Sequence, residues 1–258
     1  MKKISIFCVA VLFIAIFAAC GKEEKDESTE SAGETITSTI PTAFPEKHIK
    51  QFICEALYKG YTRTYNYKWE GGLLKEITND YGMTINFSYQ DGRIDSVVYH
   101  YGDDDILHYH TYHYDENGKI AEVLYKYKYE EEDEDYEYKY SISYLDEKHV
   151  NIRRIEVDNP NIYSDHSVAW ENGNVVNDNN HTYSYTTGKN PFYFPILYII
   201  HDKDITIPGF HLWSVNLPYG MGDAVYAKWT LGSDGYPISG EGGKGSTADF
   251  RYTFIYED

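Results

Sequence analysis

The sequence predicts an all-β fold: an antiparallel up-and-down meander of roughly a dozen strands, curled into a barrel or half-barrel. Three observations lead there. Runs of alternating aromatic and polar residues recur along the chain, YHYDENGKIAEV from Tyr112 to Val123 among them. Asn-Gly, Asp-Gly and related turn signals break these runs and supply the positive φ that tight hairpins require. Between 61 and 186 no helix-length crossover intervenes, so neighbouring strands must run antiparallel. A two-stranded unit cannot bury its own aromatic face, whereas a row of such units can curl until the tyrosine faces meet.

The first 19 residues read as an export signal: Lys2-Lys3, then an apolar run that ends at Cys20. The run is short for a stable membrane span and is followed by acidic residues. Phe17-Ala18-Ala19-Cys20 resembles the lipobox of bacterial lipoproteins, which implies cleavage before Cys20, acylation of its thiol and attachment to a membrane. Gly21-Lys22-Glu23-Glu24 resembles the surface-export signal of lipoproteins in gut-dwelling Gram-negative bacteria, implying the outer membrane and its outer face. Without residues 1–19 the chain carries 21 Lys and Arg against 41 Asp and Glu. That acidity repels phosphate backbones and argues against a nucleic-acid partner. Cys8 leaves with the signal and Cys20 is acylated, so Cys54 has no intramolecular disulfide partner and is expected as a small core residue.

Residues 20–46 are rich in Ser, Thr, Glu and Gly and predict a flexible tether with a reach of roughly 25–30 Å. A single domain is expected over 47–258. Its opening stretch, KHIKQFICEALYK, supports two readings. Ile49, Phe52, Ile53, Ala56 and Leu57 fit a helical stripe between Pro45 and Gly60, and this local pattern is the stronger. Phe52, Cys54 and Ala56 also fit strand alternation.

From 61 to 186 the pattern is unambiguous. Its clearest hairpin is YKYKYEEEDEDYEYKYSISY, 125–144. Tyr125, Tyr127 and Tyr129 share one face, and Tyr136, Tyr138 and Tyr140 share one face of the next strand. Pairing Tyr129 with Tyr136 sets Lys128 opposite Glu137. The six-acid tip, Glu130–Asp135, lacks the glycine and spaced ligands of a calcium loop and reads as solvated. Segment 187–223 interrupts the rhythm with four prolines and a dense apolar run, and is expected to cap one end of the sheet or fill its concave side. WTLGSDGYPISGEG and ADFRYTFIYED close the domain as hairpins.

The YxYDxxGKIxxV unit repeated behind a lipobox, Asn190-Pro191-Phe192 and the late SDGYP at 233–237 together resemble domain of unknown function 4595, whose members are lipoproteins with a porin-like fold. The resemblance covers roughly 47–258. It implies that 47–59 is a strand, and it offers no catalytic residues to carry over. Trp69 and Trp170 stand where the repeat has Tyr89 and Tyr114, which marks them as repeat-position core aromatics. The Asp146-Glu147-Lys148 turn lacks the glycine of the repeat, which leaves its register open.

Neither G-x-S-x-G nor a P-loop occurs, and the acids are too many to single out a glycosidase pair. No enzyme and no cofactor are expected. His108 and His110 share a strand face, but no third ligand is specified, so no metal site is assigned. A membrane-spanning barrel wants an outer band of Leu, Val and Ala with tyrosine only at the girdles, whereas here tyrosine runs along whole strands. The expected function is binding of an amphipathic small molecule or glycan on a concave aromatic face. The candidate residues are Tyr125, Tyr127, Tyr129, Tyr136, Tyr138, Tyr140, Phe192, Phe194 and Trp213. The alternative is a structural or interaction protein with a packed core that meets another surface protein. Tyrosines 125, 127 and 129 lining a hollow would favour the first; the same residues sealed by 192–213 would favour the second.

Overall fold

The computed structural model describes residues 45–102, 105–128, 135–179, 181–192, 214–221, 225–244 and 247–258. The signal segment, Cys20 and most of the expected tether therefore lie outside the described residues. The described residues all belong to one compact unit.

Among the described residues, sixteen strands run in chain order: β1 Ile49–Ala56, β2 Tyr61–Glu70, β3 Leu73–Asn79, β4 Met83–Gln90, β5 Arg93–Tyr101, β6 Asp105–Tyr114, β7 Ile120–Lys128 and β8 Asp135–Tyr144. They continue as β9 His149–Glu156, β10 Tyr163–Glu171, β11 Asn174–Asp178, β12 His181–Lys189, β13 Asn216–Met221, β14 Val225–Leu231, β15 Pro237–Lys244 and β16 Phe250–Tyr256. Each pairs antiparallel with its sequence neighbour, and β1 pairs with β16, closing the barrel. The all-β meander stands as expected, with sixteen staves.

The opening stretch is strand β1. The helical stripe loses because closure requires a strand between β2 and β16: Phe52 stands opposite Tyr65 on one side and Phe254 on the other. Phe52, Cys54 and Ala56 then alternate inward and are buried. Burial pushes the Cys54 thiol up to about 11.

The two rims differ. At one, tight turns join β2–β3, β4–β5, β6–β7, β8–β9, β10–β11 and β14–β15, and the chain enters there at Ile49. Asp91 and Gly92, at φ 52° and 76°, have the paired left-handed geometry that the repeat predicts. At Asp146 the missing glycine is replaced by the side chain, whose Oδ1 accepts the Lys148 and His149 amides at 2.7 and 2.9 Å.

The repeat also builds a brace at this rim. Trp69 Nε1 donates to the Ile49 carbonyl, Tyr89 Oη to Leu74, Tyr114 to Ile94, Tyr185 to Val175, Trp229 Nε1 to Pro218 and Tyr256 to Pro237, all at 2.6–2.8 Å. Every one of those carbonyls sits where the ladder skips a residue. A bulge takes a residue out of strand pairing, and the aromatic on an adjoining strand supplies a donor to it. Trp69 thus performs the same task as Tyr89 and Tyr114.

The outward wall carries ion pairs between neighbouring strands. Lys126 meets Glu137 at 3.2 Å, Arg153 meets Asp165 at 2.6 Å, Lys228 meets Glu241 at 3.5 Å and Arg251 meets Glu55 at 3.2 Å.

Candidate functional site

The interior is not uniform. Along β1–β5 and β16 most inward side chains are covered: Phe52, Tyr65, Leu74, Ile77, Met83, Ile85, Val97 and Tyr252 are each at most 1% exposed. Phe192 enters this arc from the end of β12, its ring 4.8 Å from Phe52 and 5.6 Å from Phe254. Asn190 anchors the entry, donating to the Ser214 carbonyl at 2.8 Å and accepting the Phe192 amide at 3.0 Å. The start of the 187–223 segment therefore packs inward against the closed arc. Phe192 is a core residue there, 1% exposed, rather than part of an accessible face. Phe194 and Trp213 lie outside the described residues.

The opposite arc, β6–β9, is furnished with tyrosine and histidine instead. Tyr125 and Tyr127 on β7 and Tyr136 and Tyr138 on β8 are half-buried, while Tyr140 beneath them is buried. Tyr129 lies outside the described residues. The hairpin register differs from the expected one: Tyr127 faces Tyr136, Tyr125 faces Tyr138, and Lys126 rather than Lys128 faces Glu137. The shift is by an even step, so no side chain changes face, and Lys128 instead comes opposite Asp135.

β5 and β6 complete the cluster. His110 is 1% exposed, its ring stacked 4.7 Å from Tyr125, and His108 stacks 4.7 Å from Tyr127. His108 Nδ1 and the Tyr125 hydroxyl share a hydrogen bond of 2.6 Å. Burial lowers the His108 pKa, so this imidazole is neutral at pH 7. Tyr99 on β5 meets His108 edge-on at 5.5 Å. Deeper on β6, the Tyr112 hydroxyl is buried with no hydrogen-bond partner among the described residues.

β9 adds charge. Val150, Ile152 and Arg154 alternate inward, and Arg154 stands opposite Tyr140. Its guanidinium carbon lies 3.9 Å from the centre of the Tyr138 ring. Burial pushes the Tyr140 phenol up to about 12, with Arg154 acting in the opposite sense. Glu156, half-buried two positions on, stands opposite Tyr138. On the adjoining wall His166 pairs with Asp178, which is 4% exposed.

Apart from Tyr112, these groups sit toward the rim opposite the tight turns, the end of the barrel away from Ile49, termed the mouth below. Five of the expected residues, Tyr125, Tyr127, Tyr136, Tyr138 and Tyr140, come together here. Arg154, Glu156 and Tyr99 were not legible as site residues. In Arg153-Arg154 only the register decides which arginine turns inward. His108 and His110 share one face, as their spacing predicts. Among the described residues no three His, Cys, Asp or Glu side chains converge as a metal site would require.

A concavity of about 540 Å³ lies at the other rim, lined in part by Asp91, Arg93, Thr111, Tyr112, His113 and Tyr114. It is partly open, and its one arginine lies 5.5 Å from the Tyr114 ring.

No protein-family profile and no curated protein matches the chain. Among solved structures it is similar to a porin-like protein from Bacteroides uniformis, at 13% identity and a TM-score of 0.40, over 83% of this chain and all of that one. A porin-like protein from Bacteroides vulgatus is similar at 12% identity and a TM-score of 0.40, over 82% of this chain and 99% of that one. The barrel itself rests on the strand pairing described above.

Proposed function

We propose that this protein is a binding module, not an enzyme, that holds an amphipathic small molecule or glycan in the mouth formed by β6–β9. Lipidated Cys20 anchors it to the outer membrane, with the domain at the cell surface and no nucleic-acid partner. The observation that carries this reading is the half-buried state of Tyr125, Tyr127, Tyr136 and Tyr138, in a barrel whose other arc is covered almost completely. Rings that share an interior and keep part of their faces open are the surface on which a flat apolar body stacks, while their hydroxyls remain available to polar groups. The chain enters the barrel at the opposite rim, so the tether does not start from the mouth.

Native mass spectrometry of the full chain, purified from its own host, tests this. A reproducible excess mass released by organic extraction is the expected result. A bare mass, together with no change in tyrosine fluorescence across a panel of amphipaths and glycans, overturns it. That outcome leaves the second reading, an interaction protein meeting another surface protein. The packed arc around Phe52 and Phe192 is the observation in its favour.

A further inference from the structure

We infer that the mouth selects an anionic amphipath, one with a single carboxylate, sulfate or similar group at one end of a flat apolar body, and that Arg154 takes the anion. This rests on the reading of the mouth as a binding cleft and names the class of its ligand.

Two adjacent arginines on β9 have different environments. Arg153 faces outward and is matched by Asp165, with hydrogen bonds of 2.6 and 2.9 Å from its Nε and Nη2. Strand alternation turns Arg154 inward, in line with Val150 and Ile152. There it is half-buried, its guanidinium rests on the Tyr138 ring, and no carboxylate lies within ion-pair distance among the described residues. The chain has 41 acidic residues to choose from, and Arg251 on the outer wall has its own. A guanidinium remains charged at any physiological pH, and removing a charge from water without a counter-charge is costly. The cation–π contact offsets only part of this, about 0.5–2 kcal/mol.

The fork of a guanidinium fits a carboxylate or sulfate with two parallel hydrogen bonds. Tyr138, already beneath that fork, and Tyr125, stacked 6.0 Å from Tyr138, extend the surface on which the rest of the molecule lies. His108 is neutral and hydrogen-bonded to Tyr125, so it supplies polarity without a second positive charge. Glu156 sits two residues nearer the rim on the same face and repels a second anionic group at that end. The arrangement therefore accepts one anion at the depth of Arg154 and disfavours dianions. A neutral glycan leaves the arginine unmatched.

Two fluorescent probes of nearly the same shape separate the charge from the cleft: anilinonaphthalene sulfonate, which carries the anion, and phenylnaphthylamine, which lacks it. The Ile36–Asp258 unit is suited to the titration, since β1 and β16 close the sheet and leave it no free edge. Wild type is expected to bind both. Arg154→Gln is expected to weaken the sulfonate at least tenfold and to change the neutral probe by less than about twofold, whereas Glu156→Gln tightens the sulfonate severalfold. The wild-type protein provides a check that needs no variant: raising the salt concentration weakens the sulfonate and leaves the neutral probe unchanged. Equal loss of both probes in Arg154→Gln, no loss of either, or a loss on Glu156→Gln overturns the assignment of the anion while the cleft stands. If wild type binds neither probe, the cleft reading itself falls, and the assignment with it.

Discussion

Two arcs of one barrel, built from the same repeated hairpin, have opposite interiors. Along β16–β1–β4 most inward residues are Phe, Ile, Leu, Met and Tyr packed to near-zero exposure, with Phe192 inserted among them and Arg63 half-buried opposite Cys54. Along β6–β9 the same inward positions carry tyrosine, histidine and an arginine, and several stay half-buried. A round sixteen-stranded barrel leaves an aqueous channel, so whether a given arc is filled depends on what its inward side chains can cover. Apolar branched and aromatic residues close on one another. Tyrosines whose hydroxyls need partners, beside a charged guanidinium, keep some contact with water or a ligand. One arc holds the barrel together and the other is free to be a site.

The largest test of that contrast is alkaline pH. Burial raises the phenols of Tyr67 and Tyr252 in the closed arc and of Tyr112 on β6 above their ordinary value of 10.0. The folded state then keeps protons that the unfolded state loses above pH 10. Stability is complete below pH 10 and falls above it, by about 1.4 kcal/mol per pH unit for each such group and roughly three times that for the three together. Absorbance at a tyrosinate wavelength should show these phenols ionising in one cooperative step, coincident with loss of the β-sheet circular dichroism signal. A smooth, gradual titration without unfolding would contradict the packed interior.

Next in size is Phe52→Ala, expected to lose about 3–5 kcal/mol in a denaturant titration, since Phe52 touches Tyr65, Phe192, Tyr252 and Phe254. Tyr127→Ala in the mouth should lose less than about half as much, because its ring is already partly exposed. Equal losses would erase the distinction between the arcs.

Gly240→Ala comes third. A Cβ there would lie 2.4 Å from Trp229 Cε3 and 2.9 Å from the Lys228 carbonyl, so either the indole moves or the strands part. A loss of about 1–3 kcal/mol, visible as a lower melting temperature, is expected. The smallest effect belongs to Tyr89→Phe, which removes one donor from the Leu74 carbonyl and should lower stability by about 1 kcal/mol. No loss would mean that water serves the bulge as well as the phenol does.

Much of this was legible from the residues alone. The turns at Asp91-Gly92 and Asn117-Gly118, the inward set of Tyr125, Tyr138 and Tyr140, and the equivalence of Trp69 with Tyr89 all follow from local rules. A strand has period two, and a tight turn demands positive φ. The shortfalls have a common cause. β1 read more strongly as a helix because its stripe of apolar residues is local, whereas its partners, β2 and β16, lie on both sides and one of them is some two hundred residues away. The β7–β8 register slipped by one even step because either alignment satisfies the same face pattern.

By itself, then, the sequence determined an all-β antiparallel meander with tyrosine on one face and charge on the other. These are properties of residues next to each other along a strand or across a turn. Only the tertiary structure decided that the meander closes at sixteen strands, that aromatic donors brace the bulges, that Phe192 plugs one arc, and that Arg154 rather than Arg153 faces a tyrosine mouth. Those facts depend on which side chains meet across an interior, and alternation along a strand carries no record of what lies on the far wall.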